Sequence, residues 1–431
     1  METSPRVMTR WQLLCFSLLS APLAMVNFAV VSFVPTFYAV DLGVGLATVG
    51  AVFLFGRAFD IVTDPLVGAL SDRTQSRWGP RVPWMVVGFP GLLLFVWLLL
   101  SPPDGVGALY LFCVASAYLL FLTFFDVPYS SIGLEISPNA HERSVIAGTK
   151  GIFQIIGAVL ASVASAVFAG QMGMSLQMTG VIFVGMMPIA LALFWWRTPR
   201  QPRPPAEARP NLWRTWLDCM KNRAFRGLML AFFAVQAANA MTVGLFVLFA
   251  THVLQAPDLV GPMFLALLLA TALFVPVWVI LSKKIGKQQS WIAAIVLCCP
   301  VVLAAYLVGA GDTVLVLMIS FGLGACMTCD GVMPTSLLAD IVAAEEQRQG
   351  HSQAASYLAL KNVASKMAFV ALMGVAFPVL GWAGFDRDAG SAPETMGVLL
   401  LFFAAVPCGL RLLVAGFLWR GTARDRAEVA I

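Results

Sequence analysis

Charged residues are scarce in this sequence. Lys, Arg, Asp and Glu make up 11% of its 431 residues, whereas apolar residues make up 60%. A water-soluble domain does not have that balance, because it needs charged and polar side chains to cover its surface. The composition therefore excludes a soluble protein and predicts a chain embedded in a membrane.

Histidine is also rare, and the cysteines are poorly placed for a disulfide framework. The three histidines, His141, His252 and His351, are scattered, so no cluster of metal-binding nitrogens is visible. Seven of the eight cysteines lie within apolar runs, and the pair Cys326 and Cys329 has no second pair or nearby histidine. We expect no disulfide framework, no transition metal and no cofactor. An enzyme is not indicated either, because no nucleophile with an adjacent base is evident.

Long apolar runs are what the sequence has in abundance. A hydrocarbon core about 30 Å thick requires roughly 20 apolar residues in a helix, and twelve such runs follow one another along the chain. The tenth extends from about 312 to 339. The segment 197–226 has five prolines and eight basic against two acidic residues, which predicts a cytoplasmic linker. We therefore predict an all-α integral membrane protein with two six-helix halves, residues 1–196 and 227–431.

The two halves echo each other in sequence. The fourth run of each half carries an acidic residue, then a proline, then an acidic residue followed by isoleucine: Asp126, Pro128 and Glu135-Ile136 in the first half, Asp330, Pro334 and Asp340-Ile341 in the second. Parallel repeats of this kind are typical of transporters that alternate around a central site. Prolines inside such runs are expected to kink helices rather than end them.

The distribution of basic residues predicts the orientation. Of the 27 Lys and Arg, only Arg387 lies in a loop on the side of the membrane where the loops carry mostly acidic residues. By the positive-inside rule the opposite side is cytoplasmic, and both termini lie there. We expect a multi-pass monomer in a bacterial-type inner membrane, surrounded by lipid, with an uncleaved first helix. The net charge of +5 reports this topology and gives no case for nucleic acid binding.

Charges inside the runs are the main functional signal. Arg57, Asp60 and Asp64 lie at i, i+3 and i+7 and share one face of the second helix. Each charge costs about 2.5 to 3.5 kcal/mol at the centre of a membrane helix, so it needs a partner or water. Asp60 and Asp64 would repel if both were ionised, so one holds a proton or a cation such as Na⁺ lies between them. The alternative is a salt bridge from Arg57 or Lys366 that ties helices together.

A resemblance to a known family is carried by the second run and the loop after it. The sequence reads FDIVTDP at 59–65, SDRT at 71–74 and SRWG at 76–79. It resembles the signature of the glycoside-pentoside-hexuronide:cation symporters, a branch of the major facilitator superfamily that includes the melibiose permeases. The resemblance extends over most of the chain, to Asp126-Val127-Pro128, to residues 338–341 and to Lys366.

The resemblance implies a major facilitator fold and cation-coupled symport with Na⁺ or H⁺. Asp60 and Asp64 match the cation ligands of the family, Asp126 matches the acidic residue where cation and substrate sites meet, and Thr123 matches a neighbouring hydroxyl. Lys366 matches a lysine that offsets the carboxylate charge when no cation is bound. We expect Arg57 to contribute to the same charge balance.

The loop after the second helix matches the facilitator loop motif. Asp72, Arg73 and Arg81 are therefore expected to act in gating and in pairing helix ends. Asp340, in the matching segment of the second half, is assigned the same role.

The positions that recognise a sugar in melibiose permeases are changed here. Met25 stands in place of an acidic residue on the first helix, Ser130 replaces an aromatic residue, and Lys150 lies near the position of an arginine. Sugar hydroxyls need convergent polar groups and a stacking ring, so galactoside specificity is not expected.

The remaining polar residues in the runs define a substrate prediction. We expect a small organic solute, first of all a glycoside or related sugar, to contact Asp126, Lys150, Gln236, Asn239 and Asp330. A lysolipid carrier of the same fold remains the alternative, because it keeps the same helix-two carboxylates. A proton-coupled exporter would carry its own acidic residues on the first helix, and a receptor would not need a cation site.

Overall fold

The computed structural model describes residues 8–136, 140–168, 170–198, 212–309, 311–349, 354–385 and 393–429. Within these ranges, twelve helices are long and apolar enough to cross a membrane. The prediction of an all-α protein with twelve membrane helices is therefore confirmed.

Contacts along the chain group it into two compact units, Met1–Ala206 and Glu207–Ile431. The division falls inside the segment predicted as a linker. The first unit contains six membrane helices: α1 Arg10–Ser32, α2 Leu46–Ser71, α3 Val82–Leu100, α4 Ala108–Gly133, α5 Val145–Val167 and α6 Met172–Arg197.

The second unit begins with a short helix, α7, at Leu212–Lys221. Six membrane helices follow: α8 Arg223–Val253, α9 Pro257–Ile285, α10 Lys287–Leu307, α11 Thr313–Arg348, α12 Ser356–Trp382 and α13 Thr395–Arg420.

The segment predicted as a linker is thus partly helical. In α7, Cys219 is buried whereas Leu217 and Met220 are exposed, so one side of the helix packs against the unit. A run this short and polar is not detected by a search for apolar stretches of membrane length. The next helix begins immediately, because the Asn222 side chain accepts a hydrogen bond from the backbone N–H of Phe225 at 3.0 Å and caps α8.

The tenth membrane helix extends further than its apolar run. Instead of ending near residue 339, α11 continues to Arg348. The extra turns carry Glu345, which is buried and accepts hydrogen bonds from Asn222 at 2.9 Å and Arg348 at 2.6 Å. Hydropathy marks only the apolar part of a helix, whereas the charged end is held by contacts with the start of α8.

Prolines do not end these helices. The helices continue through each of the prolines at the positions Pro65, Pro90, Pro128, Pro276 and Pro334. This confirms that prolines lie inside the helices, since a membrane helix can satisfy the freed carbonyl through neighbouring helices and local adjustments.

Two glycines permit close helix contacts, one in each unit. A methyl group at Gly157 of α5 would collide with the carbonyl oxygen of Ala21 on α1, and one at Gly324 of α11 would collide with that of Leu267 on α9. Small residues allow such backbone approach, on which packing between membrane helices depends.

Gly324 provides a stability prediction. Gly324→Ala should destabilise the second unit by about 1 to 3 kcal/mol, because the added methyl forces α9 and α11 apart. The measurement is unfolding of the purified protein in mixed micelles. Gly331→Ala on the same helix is the matched control, since a Cβ there meets nothing within 4 Å. Equal stability of the two variants would contradict the close contact.

Candidate functional site

The charged face of α2 keeps the arrangement expected from its spacing. The Arg57 guanidinium lies 3.4 Å from the Asp60 carboxylate, one turn further along the helix. Both side chains are largely shielded, with 15% and 4% of their surfaces exposed. Asp60 is thus held in an ion pair inside a membrane-spanning segment, as a charge-balancing role for Arg57 requires.

Asp64 is tied to the neighbouring helix. The Thr123 hydroxyl of α4 donates a hydrogen bond of 3.0 Å to the Asp64 carboxylate, and Thr123 itself is 4% exposed. Asp126 lies three residues further along α4, on the same side of the helix as Thr123. Its side chain is half-buried and makes no hydrogen bond or ion pair with the described residues. The predicted cation-site residues therefore lie on two packed helices, α2 and α4.

The oxygen atoms of this cluster determine which cation it can hold. Within the described part of the chain, no three His, Cys, Asp or Glu side chains are grouped as ligands of a metal ion. A cation here would be shared by at most two carboxylates, together with hydroxyl, backbone or substrate oxygens. Such a set of hard oxygen ligands suits an alkali cation better than a transition metal.

Lys150, on α5, contacts the neighbouring helix α4. Its ammonium is 3.4 Å from the Ser130 hydroxyl and 4.2 Å from the centre of the Tyr129 ring. Tyr129 is in turn fixed by hydrogen bonds of 2.8 Å with Ser20 and with the carbonyl of Phe16. Lys150 is thus held by α4 rather than directed toward lipid.

Asp330 occupies a different environment from Asp126, its counterpart in the sequence repeat. It is fully buried, and the Arg411 guanidinium of α13 lies 3.1 Å from one carboxylate oxygen. The indole N–H of Trp291 on α10 donates to the other oxygen at 3.0 Å. Three helices of the second unit therefore meet at one carboxylate, which supports the alternative that this charge ties helices together.

The network continues to α8 through two amides. Asn239 donates to Asp330 at 3.2 Å and to the side-chain oxygen of Gln236 at 3.0 Å, and its own oxygen accepts from Arg411. Asn239 is thus committed to the buried network. Gln236 is half-buried at the edge of the network, where its amide nitrogen makes no hydrogen bond with the described residues.

Sequence reasoning missed Arg411. It is fully buried, although arginine is costly inside a membrane helix. Its signal was present in the sequence, as a single basic residue in the middle of the twelfth apolar run. The residue that neutralises Asp330 comes from this run and is neither Arg57 nor Lys366.

Two of the predicted gating residues, Arg81 and Asp340, contact polar groups of their own units. Arg81, which is buried, donates to the Ser71 hydroxyl at 2.6 Å at the end of α2. A cation there is favourable because the C-terminus of a helix carries partial negative charge. In the second unit, both carboxylate oxygens of Asp340 accept from the Lys287 ammonium, at 2.6 and 2.7 Å.

The roles of all the predicted site residues remain predictions, including those of Asp72, Arg73 and Lys366. Arg73 is exposed at the end of α2, and the side chain of Asp72 lies outside the described residues. Lys366 is half-buried on α12 of the second unit. Its role beside the helix-two carboxylates remains a prediction.

Comparisons with known proteins place this geometry in context. The family model described as MFS/sugar transport protein matches residues 15–422. The sodium-dependent lysophosphatidylcholine symporter 1 of Gallus gallus is 23% identical over 93% of this chain and 84% of its own length. The uncharacterized symporter YjmB of Bacillus subtilis is 24% identical over 90% of this chain and 87% of its own.

A solved structure shares the fold. The nucleoside transporter NupG, crystallised as a point mutant, superposes with a TM-score of 0.69 at 15% identity, over 95% of this chain and 98% of that one. At this identity the similarity concerns the fold alone. Together, the family match and this similarity show a multi-pass membrane transporter fold.

The Asp330–Arg411 pair provides a second stability prediction. Arg411→Met should lower the free energy of unfolding by about 3 to 5 kcal/mol, because it leaves the buried Asp330 carboxylate without the guanidinium that neutralises it. Asp330→Leu combined with Arg411→Met should cost clearly less than the sum of the two single changes. Unfolding in mixed micelles measures both effects. Lys287→Met, which breaks an exposed pair, is the control and should cost under about 1 kcal/mol. If the double variant lost as much stability as the two single variants together, direct coupling between Asp330 and Arg411 would be contradicted.

Proposed function

This chain belongs to the MFS/sugar transport protein family, and from that premise we propose that it is a cation-coupled symporter of a small organic solute. Its family consists of transporters and not of enzymes. The observation that carries the proposal is the hydrogen bond from Thr123 to Asp64, which joins the charged face of α2 to the segment of α4 that carries Asp126 three residues further along. Carboxylates kept inside membrane-spanning segments mark ion pathways in transporters.

The residues proposed for cation binding are Asp60, Asp64, Thr123 and Asp126, of which at most two carboxylates would contact the ion at one time. Arg57 partly offsets the charge of Asp60, Thr123 donates a hydrogen bond to Asp64, and Asp126 makes no hydrogen bond or ion pair with the described residues. Na⁺ is the first candidate, since carboxylate and hydroxyl oxygens are its preferred ligands. The name of the Gallus gallus relative, a sodium-dependent symporter, supports the same ion. H⁺ is the second candidate, because a buried carboxylate can take up a proton instead.

The negative charge of the carboxylates couples solute binding to cation binding. A cation neutralises the carboxylates of the first half and thereby strengthens solute binding next to Asp126, after which the doubly loaded protein alternates to the other side. Thermodynamic reciprocity requires the solute to tighten cation binding by the same factor. Lys366 offsets the carboxylate charge in the unloaded protein, as the family resemblance implies.

The solute is a glycoside or a lysolipid. The family description supports a sugar, whereas the full-length relative named for lysophosphatidylcholine supports a lysolipid. Met25 and Ser130, in place of an acidic and an aromatic residue, favour the lysolipid. Lys150 and Gln236 remain the polar groups for either solute, while Asp330 and Asn239 are better assigned to the buried network with Arg411.

The basic residues indicate where the protein acts. Their concentration on one side supports a cytoplasmic location for both termini in a bacterial-type inner membrane. The solute would then be carried from outside the cell with an inward Na⁺ gradient.

Uptake into membrane vesicles tests the function. Glycosides, uronides and lysolipids should be screened with an imposed Na⁺ or H⁺ gradient, and at least one should accumulate only with the gradient. Asp64→Asn should reduce the gradient-driven rate by about tenfold or more, since it removes a charged ligand. Asp104→Asn changes an exposed loop carboxylate and should leave the rate unaltered. Cation-independent flux of every solute, or unchanged coupling in Asp64→Asn, would refute symport at this site.

Thermal stabilisation by salt tests the cation without a known solute. A ligand at one hundred times its dissociation constant stabilises a protein by about 2.7 kcal/mol. NaCl should therefore raise the unfolding temperature above that in choline chloride. Thr123→Val should lose most of this difference, whereas Thr123→Ser retains the hydroxyl and should keep it. Equal Na⁺ stabilisation in Thr123→Val would exclude Thr123 from the site.

A further inference from the structure

Lys361 is the starting point, because the proposed function does not use it. It lies on α12, the fifth membrane helix of the second half, and is half-buried. Its ammonium is 5.1 Å from the centre of the Phe232 ring on α8. Within the described residues it forms no ion pair or hydrogen bond.

This contact alone does not account for the lysine. A cation–π contact with phenylalanine offsets only part of the cost of holding an ammonium inside a membrane-spanning segment. Arg411, in the same unit, shows the usual solution, since a carboxylate lies 3.1 Å away. Lys361 has no such carboxylate partner in the described ranges, so its positive charge is available to a ligand.

Gln236 lies one turn beyond Phe232 on the same face of α8. The orientation of its amide follows from the network behind it. Arg411 can only donate hydrogen bonds, so Asn239 must turn its oxygen toward Arg411 and its nitrogen toward Asp330 and Gln236. Gln236 must then accept with its oxygen, which leaves its NH₂ group facing away from the network.

The buried ion pair therefore sets the hydrogen-bonding character of an accessible side chain. With its oxygen used, Gln236 offers only donors, and Lys361 likewise offers only donors. Two donor-only groups next to an aromatic ring have the chemistry of a site for oxygen atoms that carry negative charge.

We propose that Lys361 and Gln236 form an oxyanion subsite in the second half, which binds a carboxylate or phosphate group of the transported solute. The inference rests on the proposed transport function and specifies the chemical class of the solute. A uronide would supply a carboxylate and a lysolipid a phosphate. Asp330, Arg411 and Asn239 act as positioning residues, since they fix the amide of Gln236 without touching the solute.

Matched pairs of probes test the subsite by equilibrium binding to the purified full-length protein in detergent. One pair is p-nitrophenyl β-D-glucuronide and p-nitrophenyl β-D-glucoside, which differ in the carboxylate. The other is oleoyl lysophosphatidylcholine and monooleoylglycerol, which differ in the phosphocholine group. The wild-type protein should prefer the charged member of one pair by about tenfold or more. The pair that shows the preference identifies the source of the oxyanion.

Substitutions then assign the preference to the residues. Lys361→Met should abolish it by weakening the charged member alone, and Lys361→Arg, which keeps the charge, should retain much of it. Gln236→Glu, which replaces donors by an anion, should reverse it. Lys284→Met, at an exposed lysine at the end of α9, is the control and should change nothing.

Several results would overturn the subsite. The first is that the wild-type protein does not prefer the charged member of either pair. The second is that Lys361→Met weakens binding of both members of a pair equally. The third is that Lys361→Arg loses the preference to the same extent as Lys361→Met. Because binding is measured without an ion gradient, failure of the subsite can be distinguished from failure of symport. Flux that is independent of cations would refute the proposed function while leaving the oxyanion preference to be judged by itself.

Discussion

A charge inside a membrane-spanning helix must be compensated by the protein, because lipid cannot solvate it. The two halves of this chain meet that constraint in different ways. In the second half, both carboxylate oxygens of Asp330 accept hydrogen bonds, one from Arg411 and the other from Trp291. In the first half, Asp64 is held by a hydroxyl, and Asp126 has no side-chain partner in the described residues. The arrangement around Asp330 holds helices together, whereas the one around Asp126 is where we propose that a mobile cation binds.

The same constraint connects structure to specificity in the second half. The buried pair orients Asn239, and Asn239 orients Gln236, so in the proposed subsite a group that does not touch the solute determines which hydrogen bonds Gln236 can make. Lys361 contributes a positive charge that no carboxylate in the described residues balances. The acidic residue on the fourth helix of each half thus has different surroundings in the two halves, where we propose a cation site in the first and a donor-rich subsite in the second.

The sequence predicts the fold well because the bilayer imposes one length and one polarity on every spanning helix. It predicts less where helices leave the bilayer: α7 is too short and polar to stand out, and the charged end of α11 is held by Asn222 rather than by its own hydropathy. Spacing along α2 anticipates the contact of Arg57 with Asp60, since residues three apart on a helix are neighbours. Contacts between helices distant in sequence have no such rule. The pairing of Asp330 with Arg411 joins positions 81 residues apart and was not predicted.

Equilibrium binding of radioactive sodium to the purified protein tests the central claim most directly, because it needs neither a known solute nor a membrane gradient. The wild-type protein is expected to bind sodium saturably, and Asp64→Asn is expected to lose that binding while retaining its fold. Equal sodium binding by the wild-type and the folded Asp64→Asn protein would contradict the assignment of the cation site to this carboxylate.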